Sequence, residues 1–142
     1  MSIHNIYIFD RMGTLLYYMD WNRQKNSGMS KEEEAKLMYG MLFSIKSFVA
    51  KISPHDPKRG FLCYKTNKYA LHYYESLTGI KFVLNTNTSV KNVRDLLQQL
   101  YKDIYVEYVV KNTECEMGQP IVSELFKVKL DQFIKQQVKT LQ

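Results

Sequence analysis

Residues 61–86 read FLCYKTNKYALHYYESLTGIKFVLNT, and this stretch decides the fold. Three runs rich in aromatic and β-branched residues, 61–66, 69–76 and 80–86, are separated by TNK and LTG, which carry turn chemistry. They predict three consecutive strands. Working outward, residues 30–52 run into SKEEEAKLMYGMLFSIKSFVAKI, where Ser30 followed by Glu33 makes a capping box and predicts a helix start. The prolines at 54 and 57 end that helix. Further upstream, residues 3–9 alternate, DRMG offers a type I turn, and TLLYYMDW at 14–21 is strand-like, so 3–21 predicts a β-hairpin. Residues 22–29, NRQKNSGM, are polar and predict a loop.

Downstream, apolar spacing predicts a second helix from Thr88 to about Lys111, with Val93, Leu97, Leu100 and Ile104 on its main stripe. Val106, Val109 and Val110 fall off that stripe. Pro120 sits well in a first helical turn, so a last helix is expected from near 120. The order is ββ-α-βββ-α-α, an α+β domain spanning 1–142. Its simplest build is a five-stranded antiparallel sheet with helices on its faces.

The first helix is more apolar than one face requires. At 100° per residue, an arc from Leu37 through Met41 and Met38 to Leu42 and Ala35 is wide enough to cover a sheet. Beyond Lys46 lie Tyr39, Ala50 and Phe43, beside Gly40, Ser44 and Ser47. Small residues let another backbone approach closely, and Tyr39 and Phe43 would anchor it, as a protein–protein interface requires. The same patch could instead pack beneath the protein's own loops or last helix.

The chain has 142 residues, 45% of them hydrophobic, and a net charge of +6 from 20 Lys+Arg against 14 Asp+Glu. That length suits one core without staples, and the composition argues against disorder. Cys63 and Cys115 stand far apart with no metal-ligand spacing, which fits reduced thiols and neither a disulfide framework nor a zinc site. No apolar run reaches the ~20 residues of a bilayer span, and the N-terminus lacks signal-peptide features, so a cytosolic domain is expected. The distributed basic surplus, densest at residues 57–60, favours acidic partners of any kind but also suits a solvated surface.

Neither catalysis nor nucleic-acid binding has a motif to rest on. Arg59-Gly60-Phe61 begins like an RNA-recognition strand, but Leu62 and Cys63 stand where a small residue and a stacking aromatic belong. Tyr17/Tyr18 and Tyr73/Tyr74 are adjacent in strands, so one of each pair is expected in the core and the other at the surface. Cys63 and His72 fall on neighbouring strands, yet no third group marks a nucleophile–base pair, and a core cysteine with a surface histidine is the expectation. The carboxylates at 32–34 suit the positive end of a helix dipole. No cofactor site appears.

The order ββ-α-βββ-α-α resembles the longin-like, or SNARE-like, fold. HNIYIFDRMGTLLYYMDW, KEEEAKLMYGMLFSIKSFVAKISP, LHYYESLTGIKFVLNT and YVVKN together resemble the smallest, subunit 1 class of core subunits in the TRAPP vesicle-tethering complex. The likeness covers nearly the whole chain and departs at Thr113, where the family often has proline, and in the lysine-rich tail. It implies a subunit that pairs through its first helix with a synbindin-like neighbour, using Tyr39, Gly40, Phe43, Ser44 and Ser47. It also implies contact with a subunit of the complex's non-longin fold class. The assembly would exchange guanine nucleotide on a Rab GTPase of endoplasmic reticulum-to-Golgi transport, and Val110, Lys111 and Asn112, matching the family's VKN stretch, would face that GTPase. The subunit would be non-catalytic by itself, without cofactor, metal or nucleic acid. It would be cytoplasmic and peripheral at Golgi and endoplasmic reticulum membranes, with membrane contact by the basic surface left open. The alternative is a longin-type adaptor or regulatory module, like an adaptor small chain, that binds trafficking proteins transiently.

Overall fold

The computed structural model describes residues 3–21, 30–52, 61–65, 67–116 and 118–141. Five strands, β1 (Ile3–Phe9), β2 (Leu15–Asp20), β3 (Phe61–Lys65), β4 (Ala70–Glu75) and β5 (Lys81–Thr86), form one sheet in the order β2-β1-β5-β4-β3. Every neighbouring pair is antiparallel. Two hairpins flank the central β1–β5 pairing, which joins segments about eighty residues apart and leaves β2 and β3 as edges. Asp10 closes the first turn by accepting from the backbone N–H of both Met12 and Thr14, at 2.9 and 2.8 Å. The predicted polar loop at 22–29, prolines 54 and 57, and the basic cluster at 57–60 lie outside the described residues.

Helices cover both sides. On one face α1 (Lys31–Ile52) sets Ala35, Met38, Tyr39 and Leu42 against Tyr7, Phe9, Leu71, Tyr73 and Val83. Its start follows the capping box in part, since Ser30 Oγ accepts from Glu33 N at 3.2 Å. On the other face α2 (Val93–Leu100) continues as a π-helix over Tyr101–Val110, and α3 (Glu124–Leu141) packs beside it. Together they bury Ile6, Ile8, Phe82, Leu84, Leu97, Leu100, Phe126, Leu130 and Ile134.

Three local expectations are corrected. The second helix starts at Val93, not Thr88, because 87–90 close a turn in which Val90 N donates to Asn87 O, and Asn92 at the N-cap takes a left-handed φ of 58°. The last helix starts at Glu124, not near Pro120, because Ser123 caps it by accepting from Phe126 N at 3.3 Å. The tyrosine pairs have no surface member, because both faces of the sheet are covered. Tyr17 meets Phe126 edge-on at 5.0 Å while Tyr18 lies 4.8 Å from Tyr7, and Tyr73 and Tyr74 join opposite cores.

The π-helix corrects a fourth. About 4.4 residues fill each of its turns instead of 3.6, so the buried set becomes Leu100, Ile104, Tyr105 and Val109. Val109, which an α-helical period puts off the stripe, is therefore core. The helix closes with Lys111 N donating to Val106 O at 3.0 Å, a five-residue step.

Candidate functional site

The outer side of α1 exposes large apolar side chains, as does the chain around the start of α3 at Val122, Leu125 and Val128. The arc expected to cover the sheet is too wide for it, and only the end with Ala35 and Leu42 is buried. Leu37 and Met41, at one end of the arc, are 61% and 43% exposed. Tyr39, expected outside, turns inward. Its ring lies 5.6 Å from Phe9, under the β1–β2 turn, where a Cβ on Gly13 would sit 2.8 Å from Tyr39 Cζ. Gly13 has φ +86°, so the turn and the tyrosine are shaped to each other. Tyr39 is thus held by its own domain and is not a free anchor.

Of the remaining residues of the predicted patch, Gly40, Phe43 and Ser44 stay outside, while Ser47 is half-buried. Phe43 is 63% exposed, Gly40 and Ser44 are exposed, and a Cβ on Gly40 would meet nothing within 4 Å. The small residues Gly40 and Ser44 therefore form a shallow track, with Phe43 on one side and Leu37 and Met41 on the other. Sequence reasoning missed Leu37 and Met41 because it gave the sheet more of the helix than the sheet covers. The side chains of Ile45, Lys46, Phe48, Val49, Ala50 and Ile52 lie outside those described.

Beside the track, a groove of about 350 Å³ runs between α1 and the sheet, lined by Tyr39, Leu42, Phe43, Ser47, Tyr73, Arg11, Glu75 and Lys81. Its charged end is organised. Lys81 Nζ donates to the carbonyls of Asp10 and Gly79 at 3.4 and 3.2 Å and lies 3.7 Å from the Glu75 carboxylate. Tyr73 Oη donates to Glu75 at 3.3 Å, and burial, followed by the Glu75 charge, pushes that phenol's pKa far up. Arg11 lies across Gly79, whose missing side chain leaves it room. Ser47 and Phe43 thus share a wall of this groove with the core.

At the far end of the π-helix, Val110 is half exposed and Lys111 projects into solvent, paired with Glu107 one turn back at 3.1 Å. Such an exposed pair contributes little to stability, so Lys111 is available to a partner. Asn112 has a structural task instead: its Oδ1 accepts from Glu114 N at 3.0 Å and its carbonyl from Cys115 N at 3.1 Å. It shapes the loop that follows.

The reactive-residue expectations are reversed. Cys63 and His72 do face each other in register, but Cys63 is exposed and His72 is 3% exposed. The reason is topological: β3 is an edge strand, while β4 is interior. Among the described residues no three or more His, Cys, Asp or Glu cluster to hold a metal, and no helix is long and apolar enough to cross a membrane.

The family model described as the Sybindin-like family matches residues 3–137. The human trafficking protein particle complex subunit 1 is 55% identical over 135 residues, covering 95% of this chain and 93% of that protein. Subunit 1 of the same-named complex in Dictyostelium discoideum is 45% identical over 136 residues, covering 94% and 95%. Among solved structures, Myxococcus xanthus MglB aligns with a TM-score of 0.53 at 12% identity, over 70% of this chain and 78% of that one, a likeness of fold alone.

Proposed function

The chain belongs to the Sybindin-like family, and from that premise we propose that it is a core subunit of a TRAPP-type vesicle-tethering complex, non-catalytic by itself. The observation that carries the reading is the outer face of α1. A domain that has already filled both sides of its sheet still exposes Leu37, Met41 and Phe43 around Gly40 and Ser44. Burying each large apolar side chain contributes about 1.5–3 kcal/mol, so leaving three of them wet on one helix calls for a partner. The partner proposed there is a second, synbindin-like subunit whose own helix lies along the small-residue track. The non-longin subunit class would attach elsewhere, and the assembly would sit peripherally at Golgi and endoplasmic reticulum membranes.

Guanine-nucleotide exchange on a Rab GTPase is proposed for the assembly. Val110 and Lys111 would contribute to the GTPase-facing surface, with Asn112 holding the loop behind them. Exchange by such a surface requires tighter binding to the nucleotide-free GTPase than to its loaded form, since only differential affinity shifts an equilibrium. The test is affinity capture of the tagged chain from cells at moderate salt, with the recovered assembly assayed for nucleotide release from candidate Rab GTPases. Stoichiometric TRAPP-type subunits with exchange activity, weakened by Lys111→Glu without loss of subunits, are expected. Recovery of the chain alone, or with clathrin-type adaptor chains, would overturn the reading in favour of a longin-type adaptor module.

A further inference from the structure

On the side of the sheet away from α1, a cleft of about 260 Å³ opens between the edge strand β3 and the start of α2. Val90 and Val93, both buried, and His72 form its floor. Lys65 from β3, Lys91 just before α2 and Arg94 in its first turn line it, and no acidic side chain does. Among the described residues, none of these three cations is ion-paired with a carboxylate.

His72 adds no charge to the set. Thr86 Oγ1 donates its proton to Asn87 O at 2.9 Å, so the 3.0 Å contact from His72 Nε2 to Thr86 Oγ1 has the histidine donating, in the neutral Nε2–H form. Burial, and after it the charge of Lys65, lowers the His72 pKa to about 4, so it stays neutral near pH 7. The field of Lys65 is thus felt at the cleft floor. Lys65, Lys91 and Arg94 all line this one cleft.

We propose that this cleft binds a phosphorylated serine or threonine of a partner protein. Three converging cations exceed what one carboxylate can neutralise, whereas a phosphate monoester carries about −1.5 to −2 charge and three acceptor oxygens. The Arg94 fork suits two of those oxygens, with the lysines acting as point charges. A membrane headgroup is the poorer occupant. The cations line a concavity, and the exposed apolar tips Met12 and Leu77 sit on turns at the other end of the sheet, where Phe9 pairs with Lys81, which leaves Tyr69 as an exposed aromatic at the cleft's end.

The test is a ¹⁵N–¹H titration of the full chain with a short Gly/Ser peptide carrying one phosphoserine, with its unphosphorylated twin, and with vesicles containing phosphatidylinositol phosphates. Saturable shifts confined to the amides around Lys65 and Lys91–Arg94, seen only with the phosphopeptide, are expected. Lys91→Glu with Arg94→Glu should weaken them at least about tenfold, while Lys102→Glu with Lys127→Glu, equally charge-changing but remote, leaves them. Matched thermal melts of the two double variants exclude unfolding as the cause. No phosphopeptide shift, equal loss in both double variants, or binding to the vesicles alone would each overturn the proposal.

Discussion

Lowering the pH should weaken this fold through His72. The imidazole is buried, donates to Thr86, and has its pKa depressed from 6.5 to about 4, chiefly by burial and then by Lys65. Between those values the unfolded chain binds a proton on this ring that the folded chain does not. Stability is therefore fully present above about pH 6.5, falls as pH drops through the window, and levels off below about pH 4. The gap between the two pKa values, at 1.36 kcal/mol per pH unit, amounts to about 3 kcal/mol, of which about 1.4 kcal/mol is gone by about pH 5.5. The assay is urea unfolding of the native chain and of His72→Gln, which keeps an N–H donor for Thr86 but does not titrate. With a slope of about 2 kcal/mol/M, the native midpoint should fall about 0.7 M further than the variant's between about pH 7.5 and 5.5. Midpoints that fall in parallel would refute the burial argument.

The π-helix makes a paired prediction. Val109→Asp, placing a charge where the native side chain is buried, should cost at least about 3 kcal/mol, while Val110→Asp next door stays within about 0.5 kcal/mol. Thermal melts of the two variants check it, and equal costs would mean that the helix is not widened. Gly13→Ala combines a left-handed φ, costing about 1–2 kcal/mol, with a Cβ against the Tyr39 ring, so the melting temperature should drop by about 4–8 °C. In Tyr39→Ala the same substitution should cost markedly less, because the clash is gone; additive losses would break the link between turn and helix.

The strands were legible because their turns were: LTG and DRMG leave little freedom, and β1, β4 and β5 begin and end within a residue of expectation. The capping box located α1 for the same local reason. The two later helix starts failed on local turn and cap chemistry at Asn87–Asn92 and Ser123, and the other failures depended on an unseen neighbour or a changed period. The tyrosine pairs and Tyr39 were misplaced because sequence spacing does not say that both faces of a sheet are covered, or how much of a helix one face takes. Val109 was misplaced because no composition signal marks a π-helix. His72 and Cys63 exchanged places because strand order, which makes β3 an edge, is invisible in a run of similar strands. Of the interface candidates, Gly40, Phe43 and Ser44 stand outside as their spacing suggested, and Leu37 and Met41 join them only once the sheet is seen.

The central claim is that α1 turns one face to its own sheet and offers the other to a neighbouring subunit. The most direct test is co-elution of the chain with the other small subunits by size-exclusion chromatography, comparing Leu37→Glu with Phe43→Asp against the native chain. The account predicts that the double variant melts as the native chain does but elutes without its synbindin-like neighbour, and that nucleotide release by the mixture is lost with it. A double variant that folds and still co-elutes in full would contradict it.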